Sequence, residues 1–351
     1  MIYPHGARIT TAGFLIGIAI LLSSCLFGPG DQSVQTFKGA RWVSTMAFSA
    51  DGEQLIAFDQ KSKALAAWPV RSDAKEVAPK LFKGKVDTPR FLAISPDGSA
   101  VVAVSEKEVS RWNIEDRELI STIKLVTKLE SVKSVAFTPD GLTVLLGTTK
   151  VLARTKDFAV RYGRVEVLDG RSGVSQHVFK PSWSSEPKLA VSPDGRLAVV
   201  GADEPLRIDG KSAFEGTTLI NMDKRQIVRR YRNPKQMGLT AFSPNGEMFA
   251  VAGYQDIVVR DARTGKDIIS LSQYDKLTKY VTAMAFSTDN RWLASAGSGG
   301  VIQIWDIEED KLVKTLVGHE ENVTALAFSS TVGVLASASY DRTIKIWEVA
   351  E

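Results

Sequence analysis

The sequence is poor in the residues that build disulfides and metal sites. It contains one cysteine, Cys25, and three histidines, of which only His177 and His319 lie beyond the first 24 residues. A single cysteine excludes a disulfide within the chain, and two histidines far apart in the sequence exclude a multi-histidine metal site. No glycine-rich loop precedes a helical pattern, so a phosphate-cradling loop is excluded as well. The net charge of +4 is too small to indicate a nucleic-acid partner.

Long apolar runs are also missing, apart from one at the amino terminus. Residues 13–22 form an uncharged stretch of the length found in secretory signals, short of the roughly 20 apolar residues that a spanning helix needs. The segment that follows, from Leu22 to Cys25, resembles the bacterial lipoprotein signal, in which small residues precede a cysteine that becomes a diacylglyceryl thioether. The pattern predicts a signal peptide over residues 1–24, lipidation of Cys25 and a flexible tether over residues 25–32. The alternatives are a signal-anchor helix and a cysteine placed there by chance.

The residue after Cys25 bears on location. It is Leu26 and not aspartate, which by resemblance to Gram-negative lipoproteins favours the outer membrane over the inner one. We therefore expect a protein of the bacterial cell envelope that is lipid-anchored and faces the periplasm.

The rest of the chain is built from seven copies of one pattern. Each copy has an apolar run, a polar turn that is usually Ser/Thr-Pro-Asp-Gly, and a second apolar run, at spacings of 42 to 54 residues. The equivalent apolar positions are Phe48, Ile94, Phe137, Val191, Phe242, Phe286 and Phe328. A β pattern with this period indicates stacked or radially arranged sheets.

Each copy predicts four antiparallel strands, of which the outermost is the most polar. Four such strands describe one blade of a β-propeller. The seventh copy ends after its third strand, whereas residues 33–39 resemble residues 312–318, which form a fourth strand. We therefore predict an all-β fold over residues 33–351: a seven-bladed β-propeller closed by an N-terminal strand that completes the last blade.

The seventh copy also carries the residues of a known family. Gly318 and His319 are followed by Ser337, Asp341 and Trp347, and in this arrangement the chain resembles the WD-repeat β-propeller family over about residues 33–351. The resemblance implies a structural hydrogen-bond network of His319, Ser337, Asp341 and Trp347. The sixth copy keeps a terminal tryptophan and aspartate but lacks the histidine, and the third to fifth copies lack the tryptophan.

Two long repeats contain the candidate binding residues. We expect loops between the second and third strands over residues 148–163 of the third copy and 202–216 of the fourth, on the face that the connections between blades share. Residues 224–235 of the fourth copy are predicted as a fourth strand with its exit loop. The cationic and aromatic candidates for partner binding are Lys150, Arg154, Lys156, Phe158, Arg161, Tyr162, Arg207, Lys211, Arg232 and Lys235. Acidic residues of the sixth and seventh copies would lie opposite this sector.

The chain is thus predicted to be a non-enzymatic scaffold for other envelope proteins. We expect a monomeric propeller within a complex, attached to the membrane through its lipid, with no cofactor, catalytic residue or metal. An alternative is a periplasmic propeller enzyme, such as a lactonase-like hydrolase, or a small-molecule or glycan binder. A further alternative is that the basic sector binds anionic lipid.

Overall fold

The fold is a ring of small antiparallel sheets. The computed structural model describes residues 31–38, 46–49, 51–59, 62–70, 78–84, 89, 91–94, 100–105, 108–124, 131–138, 142–154, 159–170, 172–180, 187–201, 207–208, 211–212, 216–232, 236–253, 256–272, 280–330 and 333–349. Within them lie seven four-stranded sheets and one separate two-stranded hairpin. The predicted all-β, seven-bladed propeller is therefore confirmed.

The blades follow one another along the chain, and only the last combines both ends. The first strand of the structure is β1 (Gln35–Lys38). Blade one consists of β2 (Met46–Phe48), β3 (Gln54–Asp59), β4 (Ala64–Pro69) and β5 (Lys80–Leu81). Blade two consists of β6 (Phe91–Ile94), β7 (Ala100–Val104), β8 (Glu108–Asn113) and β9 (Leu119–Lys124). Blade three consists of β10 (Ser131–Phe137), β11 (Thr143–Arg154), β12 (Ala159–Asp169) and β13 (Ser175–Phe179).

The later blades follow the same plan, with one small hairpin added. Blade four has β14 (Lys188–Val191), β15 (Leu197–Gly201), the inserted β16 (Arg207–Ile208) and β17 (Lys211–Ser212), then β18 (Gly216–Asn221) and β19 (Gln226–Arg232). Blade five consists of β20 (Gln236–Phe242), β21 (Met248–Gly253), β22 (Asp256–Asp261) and β23 (Asp267–Ser272). Blade six consists of β24 (Val281–Phe286), β25 (Trp292–Gly297), β26 (Ile302–Asp306) and β27 (Lys311–Leu316). Blade seven consists of β28 (Val323–Phe328), β29 (Val334–Ser339) and β30 (Thr343–Glu348) and is completed by β1.

The repeated polar turn joins the first two strands of a blade, and its side chains bond to its own backbone. In blade four the Ser192 hydroxyl donates to the Leu197 carbonyl at 3.2 Å and accepts from the Leu197 N–H at 2.9 Å. Gly195 follows with φ of 73°, in the left-handed region where glycine has no steric penalty. Blade six has Asn290 at this position with φ of 66°, and asparagine is among the few other residues that tolerate it.

The core is divided among the junctions between blades. Seven apolar clusters are described, and each joins a different pair of neighbouring blades, including the last and the first. Small residues in the second strands, such as Ala336 and Ala338, let the sheets pack closely. Because every blade is covered on both sides, no sheet face is left to solvent, and the clusters show that the ring closes.

The amino-terminal strand completes the ring as predicted. β1 pairs antiparallel with β30, with Gln35 opposite Ile346 and Lys38 opposite Thr343. Phe37 enters the cluster between blades seven and one, where its ring lies 6.3 Å from that of Trp68. The strand therefore supplies both backbone pairing to one blade and apolar contact to the next.

Two parts of the chain are more ordered than the sequence predicts. Residues 148–163, expected as a loop, mostly continue β11 and β12, so the loop prediction is wrong for residues 148–154 and 159–163. At the other place, Asp31 and Gln32 fall within the predicted tether but contact the ring: the Gln32 N–H donates to the Val317 carbonyl at 3.1 Å. The signal peptide and Cys25 lie outside the described residues.

The two faces of the ring carry different sets of turns. One face, which we call the connection face, carries the turns between second and third strands and the connections between blades, for example residues 340–342 and 317–322. The opposite face, the turn face, carries the Ser-Pro-Asp-Gly turns and the turns between third and fourth strands. Everything inserted into blades three and four therefore emerges on the connection face.

A salt bridge ties the amino-terminal arm, residues 31–38, to blade seven. Asp31 pairs with Lys345, whose side chain is 6% exposed, and also accepts from the Ser33 N–H at 2.9 Å. Burial alone raises the pKa of Asp31, but the hydrogen bonds from Lys345 and Ser33 outweigh it, so the pKa lies below its usual value. The stability that Asp31 contributes is thus present above about pH 4 and is lost as the pH falls through the folded-state pKa.

We predict that Asp31→Ala lowers the free energy of unfolding by about 1–2 kcal/mol, because it leaves the Lys345 charge buried without its carboxylate; the half-exposure of Asp31 reduces the loss below that of a fully buried pair. Lys345→Met should cost less, since it removes the buried charge and keeps the apolar contact. Urea denaturation of both single variants and the double variant measures this. Additive effects in the double variant would contradict the coupling.

Candidate functional site

The most prominent feature on the connection face is a long hairpin from blade three. Val144 and Leu293 are equivalent, since each pairs with the last phenylalanine of its first strand, so Thr148 of β11 corresponds to Gly297, where β25 ends. β11 continues for six more residues, to Arg154, and β12 begins at Ala159. Six strand residues extend about 20 Å, which is the distance the hairpin projects beyond its neighbours.

The register of this hairpin fixes the backbone positions of two arginines. Arg161 pairs with Val151 and Arg154 pairs with Ala159, two rungs apart along the ladder, with a bulge at Leu152 between them. Both positions lie in the part of the hairpin that extends beyond Thr148, the equivalent of Gly297.

The base of the hairpin is held firmly against blade four. The Ser134 hydroxyl donates to the Pro187 carbonyl at 2.6 Å, and a Cβ added to Gly147 would lie 2.2 Å from that hydroxyl oxygen. Only glycine leaves room for this approach. On β12, Arg164 donates to the Thr148 hydroxyl at 3.1 Å and lies 3.6 Å from the buried carboxylate of Glu166. The hairpin therefore rises from a packed and bonded base.

The insertion of blade four is shorter and differs in charge. Its β16 and β17 form a two-residue ladder, with Arg207 opposite Ser212 and Ile208 opposite Lys211. Residues 202–216 contain two cations and four carboxylates, a net charge of −2, whereas residues 148–163 contain four cations and one carboxylate, a net charge of +3. Of the two insertions, only that of blade three is basic, and the other cations of the sector lie in residues 224–235 of blade four, which contain six cations and no carboxylate.

The predicted binding residues are distributed over several strands. Lys150 and Arg154 lie on β11, Arg161 and Tyr162 on β12, Arg207 on β16, Lys211 on β17 and Arg232 at the end of β19. Lys156, Phe158 and Lys235 lie outside the described residues. Blades three and four are neighbours that share an apolar cluster. The strands named above therefore belong to adjacent blades.

The acidic residues expected opposite this sector are divided between the two faces. Glu308, Glu309 and Asp310 lie in the turn between β26 and β27, on the turn face. Glu320 and Glu321 lie in the connection between blades six and seven, on the connection face. The connection face thus has its basic hairpin at blade three and a small acidic group half a ring away.

Blade seven contains a continuous hydrogen-bond chain. The Trp347 indole N–H donates to the Ser337 hydroxyl at 2.7 Å, Ser337 lies 2.7 Å from His319 Nε2, and His319 Nδ1 lies 2.7 Å from Asp341 Oδ2. Ser337 and Trp347 are fully buried, and the imidazole has no exposed surface. The network joins the second and third strands of the blade to the connection that precedes it.

The protonation states follow from burial. Burial lowers the pKa of His319 more than the nearby Asp341 carboxylate raises it, so the imidazole is neutral near pH 7. For Asp341, burial alone raises the pKa, but hydrogen bonds from Thr343 and His319 outweigh it and the pKa is lowered. Neutral His319 then donates from Nδ1 to the ionised Asp341 and accepts from Ser337 at Nε2.

Thr343 is a member of this network that the sequence interpretation missed. Its hydroxyl donates to Asp341 Oδ1 at 2.6 Å, and its N–H donates to the same oxygen at 2.8 Å. The signal was available, because a threonine two residues after an aspartate can return two hydrogen bonds to it. Blade six lacks the histidine but keeps the same tryptophan–serine bond, since the Trp305 N–H donates to the Ser295 hydroxyl at 2.9 Å. Blade two bonds differently, because its Trp112 N–H donates to the Lys83 carbonyl at 2.8 Å.

The described residues contain neither a cluster of metal-binding side chains nor a membrane-spanning helix. In the ranges given above, no group of three or more His, Cys, Asp or Glu side chains is placed to hold a metal ion. Across the same ranges, the structure contains no helix with the length and apolar character that a membrane span requires.

Comparison with known proteins identifies the repeats. The family model described as WD domain, G-beta repeat matches residues 266–306 and 310–348. Each match begins at the fourth strand of one blade and ends with the third strand of the next, the same offset by which β1 completes blade seven. The chain therefore carries WD repeats.

Several curated proteins are similar over parts of the chain. An uncharacterised WD repeat-containing protein of Synechocystis is 30% identical over 131 residues, which are 36% of this chain and 34% of that protein. The p21-activated protein kinase-interacting protein 1-like of Xenopus laevis is 26% identical over 182 residues, 50% of this chain and 43% of that protein. The general transcriptional corepressor TUP1 of Saccharomyces cerevisiae is 34% identical over 64 residues, 18% and 9% respectively. The chain spans less than half the length of each.

We predict that the His319 network makes stability depend on pH. Because the folded-state pKa of His319 lies below the 6.5 of the unfolded chain, its contribution is fully present above pH 6.5 and is lost as the pH falls toward the folded-state value. His319→Gln should lower the free energy of unfolding by about 1–3 kcal/mol at pH 7.5 and reduce its fall between pH 7 and 5.

Denaturation at several pH values measures this effect. His177→Gln is the matched control, since His177 lies on β13, outside the network, and contacts Phe179. Equal pH dependence in the His319 and His177 variants would show that His319 is not the group responsible.

Proposed function

We propose that this chain, a closed seven-bladed propeller with WD repeats, is a lipid-anchored scaffold of the bacterial cell envelope that binds other proteins without catalysing a reaction. The blade-three hairpin carries this proposal: it projects from a closed ring, its base is bonded to blade four, and Arg154 and Arg161 lie on its two strands. A preorganised projection binds a partner with a small ordering cost, since its shape exists before contact.

The charge of the hairpin indicates the chemistry of its partner. Its net charge of +3 and its pair of arginines fit an acidic protein segment whose carboxylates bind both guanidinium groups. Tyr162 also lies on β12 and is of a residue type that is enriched at protein interfaces. The remaining predicted contacts, Arg207, Lys211 and Arg232, would extend the surface onto blade four.

The similar proteins support an interaction role. The names of two of them describe a kinase-interacting protein and a transcriptional corepressor. These names concern the partners of those proteins only. For this chain they favour binding of proteins as the class of function.

The amino-terminal pattern supports the anchor. Cys25 follows two small residues and an uncharged apolar stretch, and it is the single thiol in the chain. Five residues separate it from Asp31, which pairs with Lys345 of blade seven. Acyl chains on Cys25 would add about 0.8 kcal/mol of membrane affinity for each buried CH₂ group.

We predict that reversing the two hairpin charges weakens partner binding. Arg154→Glu with Arg161→Glu should reduce recovery of a partner protein from envelope membranes by about tenfold or more, because attraction to an acidic segment becomes repulsion. The measurement is quantitative affinity isolation with tagged chains expressed at equal levels.

The control must change charge equally elsewhere. Arg263→Glu with Lys266→Glu makes the same change at two exposed residues of blade five, on the turn face. Equal denaturation midpoints would show that both double variants fold. Unchanged recovery in the hairpin variant, or equal loss in the control, would contradict a role for the hairpin.

We predict that Cys25→Ser releases the protein from the membrane. The wild-type chain should incorporate radiolabelled palmitate and sediment with membranes, whereas the variant should do neither, because serine cannot form the thioether. The control for non-specific acylation is the double variant Cys25→Ser with Ser330→Cys, in which the single thiol lies on the turn face. Full membrane retention of the Cys25→Ser protein would refute the anchor.

A further inference from the structure

The amino-terminal arm enters the ring at a defined place. The Gln32 N–H donates to the Val317 carbonyl at 3.1 Å, and the Val317 N–H donates to Gln32 Oε1 at 3.3 Å. Asp31 lies against Gly318, where an added Cβ would be 2.4 Å from a carboxylate oxygen of Asp31. Residues 31 and 32 are therefore fixed at the junction of blades six and seven.

The arm then turns back before it pairs with blade seven. The Val34 N–H donates to the Ile346 carbonyl at 2.8 Å, and β1 runs from Gln35 opposite Ile346 to Lys38 opposite Thr343. Since Thr343 begins β30 next to the turn at residues 340–342, β1 runs toward the connection face. Val317 and Gly318 belong to the connection between blades six and seven, so Asp31 also lies beside that face.

The sequence limits how far the anchor can be from this point. Cys25 precedes Asp31 by six residues, which span at most about 20 Å when fully extended. A six-residue strand, the usual length in these blades, is also about 20 Å long. For the turn face to rest on a membrane, the tether would have to run along the whole height of a blade, which is the limit of its fully extended reach.

We infer that the connection face of the ring is turned toward the membrane to which Cys25 attaches. This inference rests on the proposed lipid anchor. It assigns a surface: the connection face adjoins the lipid headgroups, and the turn face is directed away from them.

The position of the blade-three hairpin gives this orientation a consequence. Seven blades form the ring, and blade three lies halfway round from the junction of blades six and seven. The hairpin projects about 20 Å from the connection face, a distance similar to the full reach of the tether. The lipid thus holds one side of the ring near the membrane, and the hairpin extends toward the membrane on the other side. Its acidic partner is then a segment of a protein held in or on the same bilayer.

Single labels on the two faces test the orientation. The thiol of Cys25 is consumed by lipidation, so one introduced cysteine can be labelled with a fluorophore in the full, lipidated chain. Glu320→Cys and Lys150→Cys place labels on the connection face, near the arm and on the blade-three hairpin. Ser330→Cys and Ser172→Cys are their matched controls on the turn face of the same blades.

The labelled proteins are reconstituted into vesicles that contain lipids with a nitroxide on the headgroup. We expect loss of fluorescence at positions 320 and 150 and little loss at positions 330 and 172, since nitroxides quench only at short range. Stronger quenching on the turn face would overturn the inference. Equal quenching at positions 320 and 330 would also overturn it, because it would mean that the ring stands on its edge.

Incorporation of radiolabelled palmitate separates the two levels of failure. A chain that carries no palmitate contradicts the proposed function, and the orientation falls with it. A chain that carries palmitate but shows the wrong quenching pattern contradicts the orientation alone and leaves the anchor intact.

Discussion

The pairing of β1 with β30 is the interaction on which the rest of the structure depends. Without it, blade seven has three strands and an open edge, the cluster between blades seven and one loses Phe37, and Lys345 keeps a buried charge without Asp31. Pairing Gln35 with Ile346 joins residues more than 300 positions apart. The entropy of closing a loop grows only with the logarithm of its length, so distance along the chain adds little to the cost. Closure then makes every blade a neighbour of two others, and the apolar cluster between blades seven and one depends on it directly.

Closure also determines what the blade-three hairpin can do. A projection about 20 Å long binds a partner selectively only if its base does not move, and that base consists of contacts between neighbouring blades. Ser134 bonds to the Pro187 carbonyl, and Gly147 makes room for that contact. If the ring opened, blades three and four could separate and the hairpin would lose its fixed position relative to blade four. The interfaces that stabilise the ring are thus also those that position the hairpin.

The sequence predicts the repeated parts of this fold well and its exceptions poorly. Turns such as residues 192–195 combine serine, proline, aspartate and glycine, whose conformational preferences are strong and local, and the arm strand was recognisable because it repeats the pattern of β27. The sequence analysis predicts a loop at residues 148–163 because this segment interrupts the repeat. A contrary signal existed: residues 148–162 contain no glycine or proline, which loops usually have, and residues 202–216 contain both. The bond between Asp31 and Lys345 left no sequence signal, since neither residue belongs to a motif and only the closed ring brings them together.

The fullest repeat lies where the chain ends meet, and the contacts there explain why that position needs it. Asp341 accepts from His319 and from the Glu320 N–H at 3.1 Å, so the network fixes the connection between blades six and seven. Val317, two residues before His319 in the same connection, exchanges two hydrogen bonds with Gln32. Other connections join strands that are already neighbours in sequence, whereas this one must also receive a segment from the opposite end of the chain. A mobile connection would leave the arm without a defined partner. The buried imidazole therefore affects the arm indirectly, because it holds the connection against which residues 31 and 32 are placed. Through these two residues it determines where the arm meets the ring.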